Sequence, residues 1–331
     1  DEFVKLPDPN NPLAPPKLVK YEKGTFIYRL AGRDREKSAS YYTPEVLTKS
    51  VVKYSLKELL KNKTADEILH LTVCEPAMGS GAFLNEAVNQ LADAYLQAKQ
   101  KELEQDIPPG EYQDELQKVK AFIATHNCYG VDLNPTAVDL AKVSMWLNII
   151  YKHSKTPWFN LRLSSGNSLI GARLQVFKEA DLKSKRGRGV ENYLDRVPER
   201  INLINGRHDD EIYHFFIPDV GMAGFDKDKV IKGLLPDEVK TIKDWRKPFT
   251  EEFTYAQIRT LKRLSNKVDE LLTSHLNNRE RLLKATDDNI PIWPNSNKTE
   301  GLPIKAKELQ EKDLYRATSA YRKLKLMMDY W

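Results

Sequence analysis

The residues best suited to chemistry lie in two short stretches, each placed where an apolar run ends. Glu75-Pro76-Ala77-Met78-Gly79-Ser80-Gly81 follows the run His70–Cys74, and Asp132-Leu133-Asn134-Pro135 follows Cys128–Val131. Glycines at a strand-to-helix turn permit tight backbone angles and let a ligand approach the main chain. The helix opening beyond them presents N–H groups that have no partner within the helix. An acid at the end of the next strand can accept hydrogen bonds from ribose hydroxyls, as in dinucleotide folds. A purely structural turn explains the glycine pair alone, and a helix cap explains Asp132 alone, so the residues leave both alternatives open. The interval between glycine loop and acid exceeds the usual ~20 residues, and a pair of helices over 84–125 accounts for the excess. Neither GxxxxGK[ST] nor GxGxxG occurs. Without either phosphate cradle, a nucleoside lacking a phosphate chain fits the turn better.

Other candidates read more simply as structure. His208, Asp209, Asp210 and His214 are close in sequence, but a polar turn before a strand explains them better than a metal. Cys74 and Cys128 both fall in strand-like runs. Two cysteines without ligand spacing make neither a zinc site nor a disulfide framework, so both are expected to be reduced core residues. Asp195 and Glu199 are expected on the solvated surface rather than in a nuclease site, and Trp146 and Trp158 in helix packing or the core. The loop KSKRGRG (183–189) is either a solvent loop or a contact for DNA phosphates.

Positioning the two stretches requires an alternating chain. Five prolines in residues 7–18 imply an extended surface segment, and 24–31 alternate like a short strand. Thr43 and Pro44 are expected to open a helix, Thr43 as its N-cap. It would run to about Leu60 on Val46, Leu47, Val51, Val52 and Leu59. A strand at 70–74 leads through the glycine turn into a helix carrying Phe83, Leu84, Ala87, Val88, Leu91, Ala94 and Tyr95 at helical spacing. IPPGEY (107–112) breaks it, a helix at 113–125 follows, then a strand at 128–132, a helix from Pro135 to about Ile150, and a strand at 160–165. Strands alternating with helices predict an α/β fold with a partial parallel sheet, Rossmann-like under the right-handed crossover rule. The second half reads as mostly helical, with stripes at 251–284 and 305–329 and one strand candidate, EIYHFFIPD (211–219). Three regions are thus expected: an extended arm over 1–43, a ligand-binding core over 44–173, and a mostly helical region over 174–331.

The chain has 331 residues, 40% hydrophobic and 30% charged, enough for one large domain or two modest ones. No apolar run reaches the ~20 residues of a membrane span, and no signal peptide is visible, so a cytoplasmic protein without membrane partners is expected. The net charge of +5 is uneven: residues 1–172 hold 21 basic against 21 acidic side chains, residues 173–331 hold 31 against 26. That excess is too mild to indicate a nucleic-acid partner by itself.

Taken together, YYTPEVLT, VCEPAMGSGAFL, YGVDLNPTAVDLAKVSMWL and GNSLIG resemble the cofactor half of the gamma-class N6-adenine DNA methyltransferases. The closest likeness is to the large enzymes of type IIG, BREX and DISARM restriction or phage-exclusion systems. The resemblance is continuous over about residues 24–173. It implies a class I S-adenosylmethionine-dependent methyltransferase core, with S-adenosylmethionine as cofactor and double-stranded DNA as partner. It assigns Tyr42, Thr43 and Pro44 to the methionine end of the cofactor and Glu75, where the family usually has Asp, to the amino-acid moiety. Ala77, Gly79 and Gly81 would line methionine and ribose, with Phe83 near the pocket. Asp132 would take the ribose hydroxyls, Leu133 or Asn134 would flank the adenine, and Asn167 would bond its amino group beside Ser168.

The family's catalytic signature, Asn/Asp/Ser-Pro-Pro-aromatic, holds the amine of the flipped base while the ring stacks on it. The only Pro-Pro pairs here are Pro15-Pro16, followed by Lys17, and Pro108-Pro109, followed by Gly110. No catalytic residue is therefore assigned. The expectation is a fragment of a site-specific adenine-N6 methyltransferase that binds cofactor and is inactive alone. A catalytically dead scaffold, or a methyltransferase acting on RNA or protein, is the alternative.

Overall fold

A computed structural model describes residues 2–6, 17–23, 25, 43–183, 193–201, 206–217, 228–247, 252–295 and 302–330. Contacts divide the chain into two units, Asp1–Tyr41 and Tyr42–Trp331. In the first, β1 (Glu2–Leu6) and β2 (Lys17–Tyr21) pair antiparallel, Glu2 opposite Tyr21. The strand expected over 24–31 lies outside the described residues, apart from Thr25.

The second unit begins with α1 (Glu45–Leu59). Thr43 does not cap it. Pro44, at φ −57° and ψ 141°, is the boundary residue, and its carbonyl accepts from Leu47 and Thr48 N–H at 3.0 and 3.1 Å. Of the side chains expected to anchor α1 only Val52 is buried, with Thr48 and Leu56 beside it. Val46, Leu47, Val51 and Leu59 are exposed because the helix packs along a single stripe. A short helix, α2 (Ala65–Leu69), is opened by a reciprocal cap between Thr64 and Glu67.

The parallel sheet consists of β3 (Val73–Glu75), β4 (Cys128–Asp132) and β5 (Leu163–Ser165), in the order β3-β4-β5. Val73 lies opposite Cys128, and Gly130 opposite Leu163. Its crossovers are helical: α3 (Ala82–Leu103) and α4 (Tyr112–His126) between the first two strands, α5 (Pro135–Asn148) between the last two. Leu84, Ala87, Val88, Leu91 and Tyr95 fall on one face of α3, as their spacing requires, and form the main core with α4, α5 and the sheet. The architecture is thus α/β with a small three-stranded parallel sheet.

The second half departs from the helical expectation by carrying a sheet of its own. β6 (Gln175–Lys178), β7 (Glu199–Arg200) and β8 (Glu211–Tyr213) pair antiparallel in the order β7-β6-β8. α6 (Glu179–Lys183), α7 (Lys229–Leu234) and α8 (Pro236–Arg246) precede the 31-residue α9 (Tyr255–Ala285), opened by a Thr254–Gln257 capping box. α10 (Ile304–Leu314) and α11 (Ala320–Tyr330) pack back on α9.

Two expectations are corrected here. The strand candidate 211–219 is not one continuous strand over its described residues, 211–217. It forms the short β8 against β6 and passes at His214 into a 3-10 turn, so both faces of Ile212 and Tyr213 are covered inside the second sheet. β3 is an edge strand of the described parallel sheet, and Cys74 is exposed rather than in the core. Cys128, on the central strand, is fully buried. His214 is also buried, its Nε2 3.0 Å from the backbone N and O of Arg173.

α9 is tied to this sheet by polar contacts. The Arg207 side chain, 2% exposed, pairs with Asp269 at 2.7 Å and donates to the carbonyls of His208 and Glu211, while Tyr213 Oη donates to Asp269 at 2.7 Å. Farther along, Arg279 donates to the Leu161 carbonyl and, like Arg162, lies over the Tyr129 ring of β4, which bridges the helix to the parallel sheet.

Candidate functional site

The carboxyl ends of the three parallel strands bring together three of the motif segments. The loop after β3 folds over the end of β4. Met78 N–H donates to the Val131 carbonyl at 3.0 Å, and Gly79 N–H donates to Asp132 Oδ2 at 2.8 Å. Asp132 Oδ1 accepts from Asn134 N–H at 2.9 Å, and the Asp132 carbonyl accepts from Gly166 N–H at 2.9 Å beyond β5. One aspartate therefore fastens the glycine loop, the start of α5 and the end of β5. The capping function itself falls to Asn134, whose Oδ1 accepts from Thr136 N–H at 3.0 Å. A carboxylate offers about four acceptor positions, so the two described bonds leave the outer side of Asp132 able to accept hydroxyl donors.

Backbone conformation makes the glycines necessary. Gly79 and Gly81 lie at φ +54° and +82°, where other residues are strained. Gly81 is the N-cap of α3, and a side chain there would also meet Ala141 Cβ of α5 at 3.2 Å. Glu75 closes the loop, accepting from the Ala77 backbone N–H; burial pushes its carboxyl upward, and this hydrogen bond partly offsets the rise. Ala77 is exposed, and Phe83 packs against the main core.

The remaining residues flank this centre. Leu133 is exposed. Asn167 and Ser168 are exposed, and Asn167 Oδ1 accepts from the N–H groups of Leu169 and Ile170 at 2.9 Å each, shaping the loop after β5. Thr43 and Pro44 stand at the entrance to α1, which packs along α3. Tyr42 lies outside the described residues, as does the basic loop beyond Lys183.

A residue not singled out in the sequence proves central to this geometry. A Cβ on Gly130 of β4 would come within 2.3 Å of Met78 Sδ and 3.1 Å of both Leu84 Cδ1 and Leu163 Cδ2. Gly130 thus lets the glycine loop seat on the sheet. A lone glycine inside a strand run, YGVD, is the signal that marks such close approach.

A separate apolar cleft of about 390 Å³ is lined by Trp146, Ile149 and Tyr151, with Ile290 and Pro291. It adjoins the C-terminal turn of α5, and although Asp114 and Asp288 also line it, none of its lining residues comes from the glycine loop or the end of β4. The strand-end site is the better candidate, because open parallel sheets bind ligands beyond their carboxyl ends.

Residues 21–165 match the model of the N-6 DNA methylase family. The chain is also similar to a putative type II restriction enzyme and methyltransferase of Methanocaldococcus jannaschii, 27% identical over 205 residues that cover 47% of this chain and 16% of that protein. The chain thus spans a small part of that relative's length. Both matches bear out the resemblance to N6 DNA methyltransferases, and the region matched by the family model ends with β5.

Proposed function

We propose that this chain is the cofactor-binding part of a DNA adenine-N6 methyltransferase of a restriction–modification system, with residues 44–173 as a Rossmann-like class I core. The observation that carries the reading is the junction at Asp132, where the glycine loop and the helix start meet its carboxylate, the end of the third strand meets its main-chain carbonyl, and the carboxylate keeps free acceptor capacity. S-adenosylmethionine would supply a methyl group on sulfonium. The chain's own residues would bind and orient it. Asp132 would accept from the ribose hydroxyls, and Gly79 and Gly81 would let the ligand lie against the main chain. Glu75, with Tyr42, Thr43 and Pro44, would hold the amino-acid end, while Ala77 and Phe83 line the approach. Leu133 and Asn134 would flank the adenine. Asn167, its oxygen engaged by the loop backbone, would offer its amide N–H groups, with Ser168 alongside.

Methyl transfer would need an orienting group for the target amine, which the family takes from Asn/Asp/Ser-Pro-Pro-aromatic and which these 331 residues lack. Double-stranded DNA is the proposed substrate and the cytoplasm the proposed location. Among the described residues no helix is long and apolar enough to cross a membrane.

Calorimetric titration with S-adenosylhomocysteine tests the assignment. Charge-assisted hydrogen bonds contribute ~1.5–3 kcal/mol each, so Asp132→Ala should weaken binding at least ~10-fold. A 2′,3′-dideoxy analogue separates ribose contact from loop damage, since the two losses should not add. Unchanged affinity in the variant would remove Asp132 from the site.

A further inference from the structure

The helical region holds a second cavity, far in sequence from the glycine loop. α9, α10 and α11 enclose about 360 Å³, within the ~300–1,000 Å³ usual for small-molecule sites. Its lining is rich in groups that pair with planar heterocycles. Tyr321 and His275 lie with ring centroids 5.4 Å apart, and Tyr315 braces Tyr321 edge-on at 5.3 Å. Asn278 and Gln310 bring side-chain amides from two helices. His275 Nδ1 and Gln310 Oε1 are buried atoms without a hydrogen-bond partner among the described residues. Buried polar atoms are nearly always satisfied, so two orphans on one cavity wall mark a place where something else must bond.

The charges around the cavity narrow the choice. Asp313 lines it but is engaged by Arg316 at 2.8 Å. Arg281 is exposed at the wall and also borders a shallow groove with Lys284, which itself pairs with Glu280. Burial and the neighbouring Arg279 push the His275 pKa down, keeping the imidazole neutral with one donor and one acceptor. A neutral interior of amides and rings, with a cation at its rim, suits a base carrying a phosphate.

We propose that the cavity between α9, α10 and α11 is a nucleobase-binding pocket. Tyr321 presents the stacking surface, Gln310, Asn278 and His275 pair with the base edge, and Arg281 meets the phosphate. Amides offer donor and acceptor side by side, the pattern that base edges complement, and stacking on a ring accepts any base face. The site goes beyond cofactor binding and rests on the helical region alone. The base could come from a free nucleotide or from an unpaired position in a nucleic-acid strand, which share this chemistry.

The test uses the full 331-residue chain with saturating S-adenosylhomocysteine, so that adenosine-like ligands cannot report on the strand-end site. The four nucleoside 5′-monophosphates and single-stranded homo-oligonucleotides are titrated by calorimetry, with the His275 ring protons followed by NMR. At least one base should bind and shift those protons, and Gln310→Met and Arg281→Ala should each weaken it about tenfold. Asp132→Ala should leave this binding unchanged. Monophosphate binding equal to that of the oligonucleotide indicates a free nucleotide, and much tighter oligonucleotide binding indicates a strand. Arg281→Ala, an exposed change, keeps the test valid should Gln310→Met misfold. Absence of binding, or binding that neither variant weakens, overturns the proposal and leaves the cavity to water.

Discussion

Gly130→Ala offers the sharpest check on how the strand-end site is assembled. The added methyl would lie 2.3 Å from Met78 Sδ and 3.1 Å from two leucine methyls, against ~3.5–4.0 Å for comfortable carbon contacts. Met78 is buried in the main core and its backbone N–H is fixed to Val131, so its flexible thioether must yield by repacking against its buried neighbours or by lifting the loop. Overpacking of this kind costs ~1–3 kcal/mol. For a unit of this size that is a fall in Tm of roughly 2–10 °C. The same shift should pull Gly79 N–H from Asp132 and weaken cofactor binding in parallel. Gly110→Ala is the internal control, since a Cβ there meets nothing within 4 Å. Denaturant titration with unchanged slope, alongside thermal unfolding, provides the measurement. Adding Met78→Ala should recover part of the clash and give a non-additive cycle. Equal stability of the Gly130 and Gly110 variants would refute the packing argument.

Other consequences can be checked separately. Iodoacetamide at pH 8 should modify exposed Cys74 in the native protein and Cys128 only after unfolding, because burial pushes the Cys128 thiol up to about 12; mass spectrometry of peptides decides, and equal rates would contradict the burial. The unfolded Cys128 thiol ionises first, so the Cys128 contribution to stability should be lost as pH rises past the ordinary thiol value of ~8.5, a loss that Cys128→Ala should abolish in pH-dependent denaturation. Asp269→Ala should destabilise by roughly 1–3 kcal/mol, because it removes the only carboxylate described against the buried Arg207 guanidinium and the acceptor of Tyr213 Oη, measured by denaturant unfolding; a cost under about 0.5 kcal/mol, ordinary for surface positions, would mean that the His208 and Glu211 carbonyls suffice for Arg207. The purified chain should transfer no labelled methyl to duplex DNA above background, and robust transfer to adenine would show that the missing signature is dispensable.

The parallel core was legible because each element there has a single dominant signal. Periodic apolar residues place α3, the YGVD run matches β4, and Asn134-Pro135 marks the start of α5. The site was legible where a residue type is constrained by backbone, as at Gly79 and Gly81. What escaped depends on three-dimensional neighbours. β6 and β7 are short strands held by tertiary pairing, with only Gln175–Lys178 and Glu199–Arg200 to show for it. EIYHFFIPD reads as one strand but turns at His214, because that imidazole is buried against the Arg173 backbone. Cys74 reads as core from its apolar run, yet it falls on the uncovered face of β3, opposite the face of half-buried Val73 and Glu75. Gly130 carries a strand-like context that hides its contact with Met78, formed only when the loop folds back.

Hydrogen–deuterium exchange of the full chain, with and without saturating S-adenosylmethionine, tests the central claim most directly. Cofactor held at the strand ends should slow exchange at Met78–Phe83, at Asp132–Asn134 and around Gly166–Ser168, where backbone groups already converge on Asp132. Exchange over the cleft beside Trp146 and Tyr151 should be unchanged. Protection at that cleft in place of the glycine loop, or no protection anywhere at saturating ligand, would contradict the assignment.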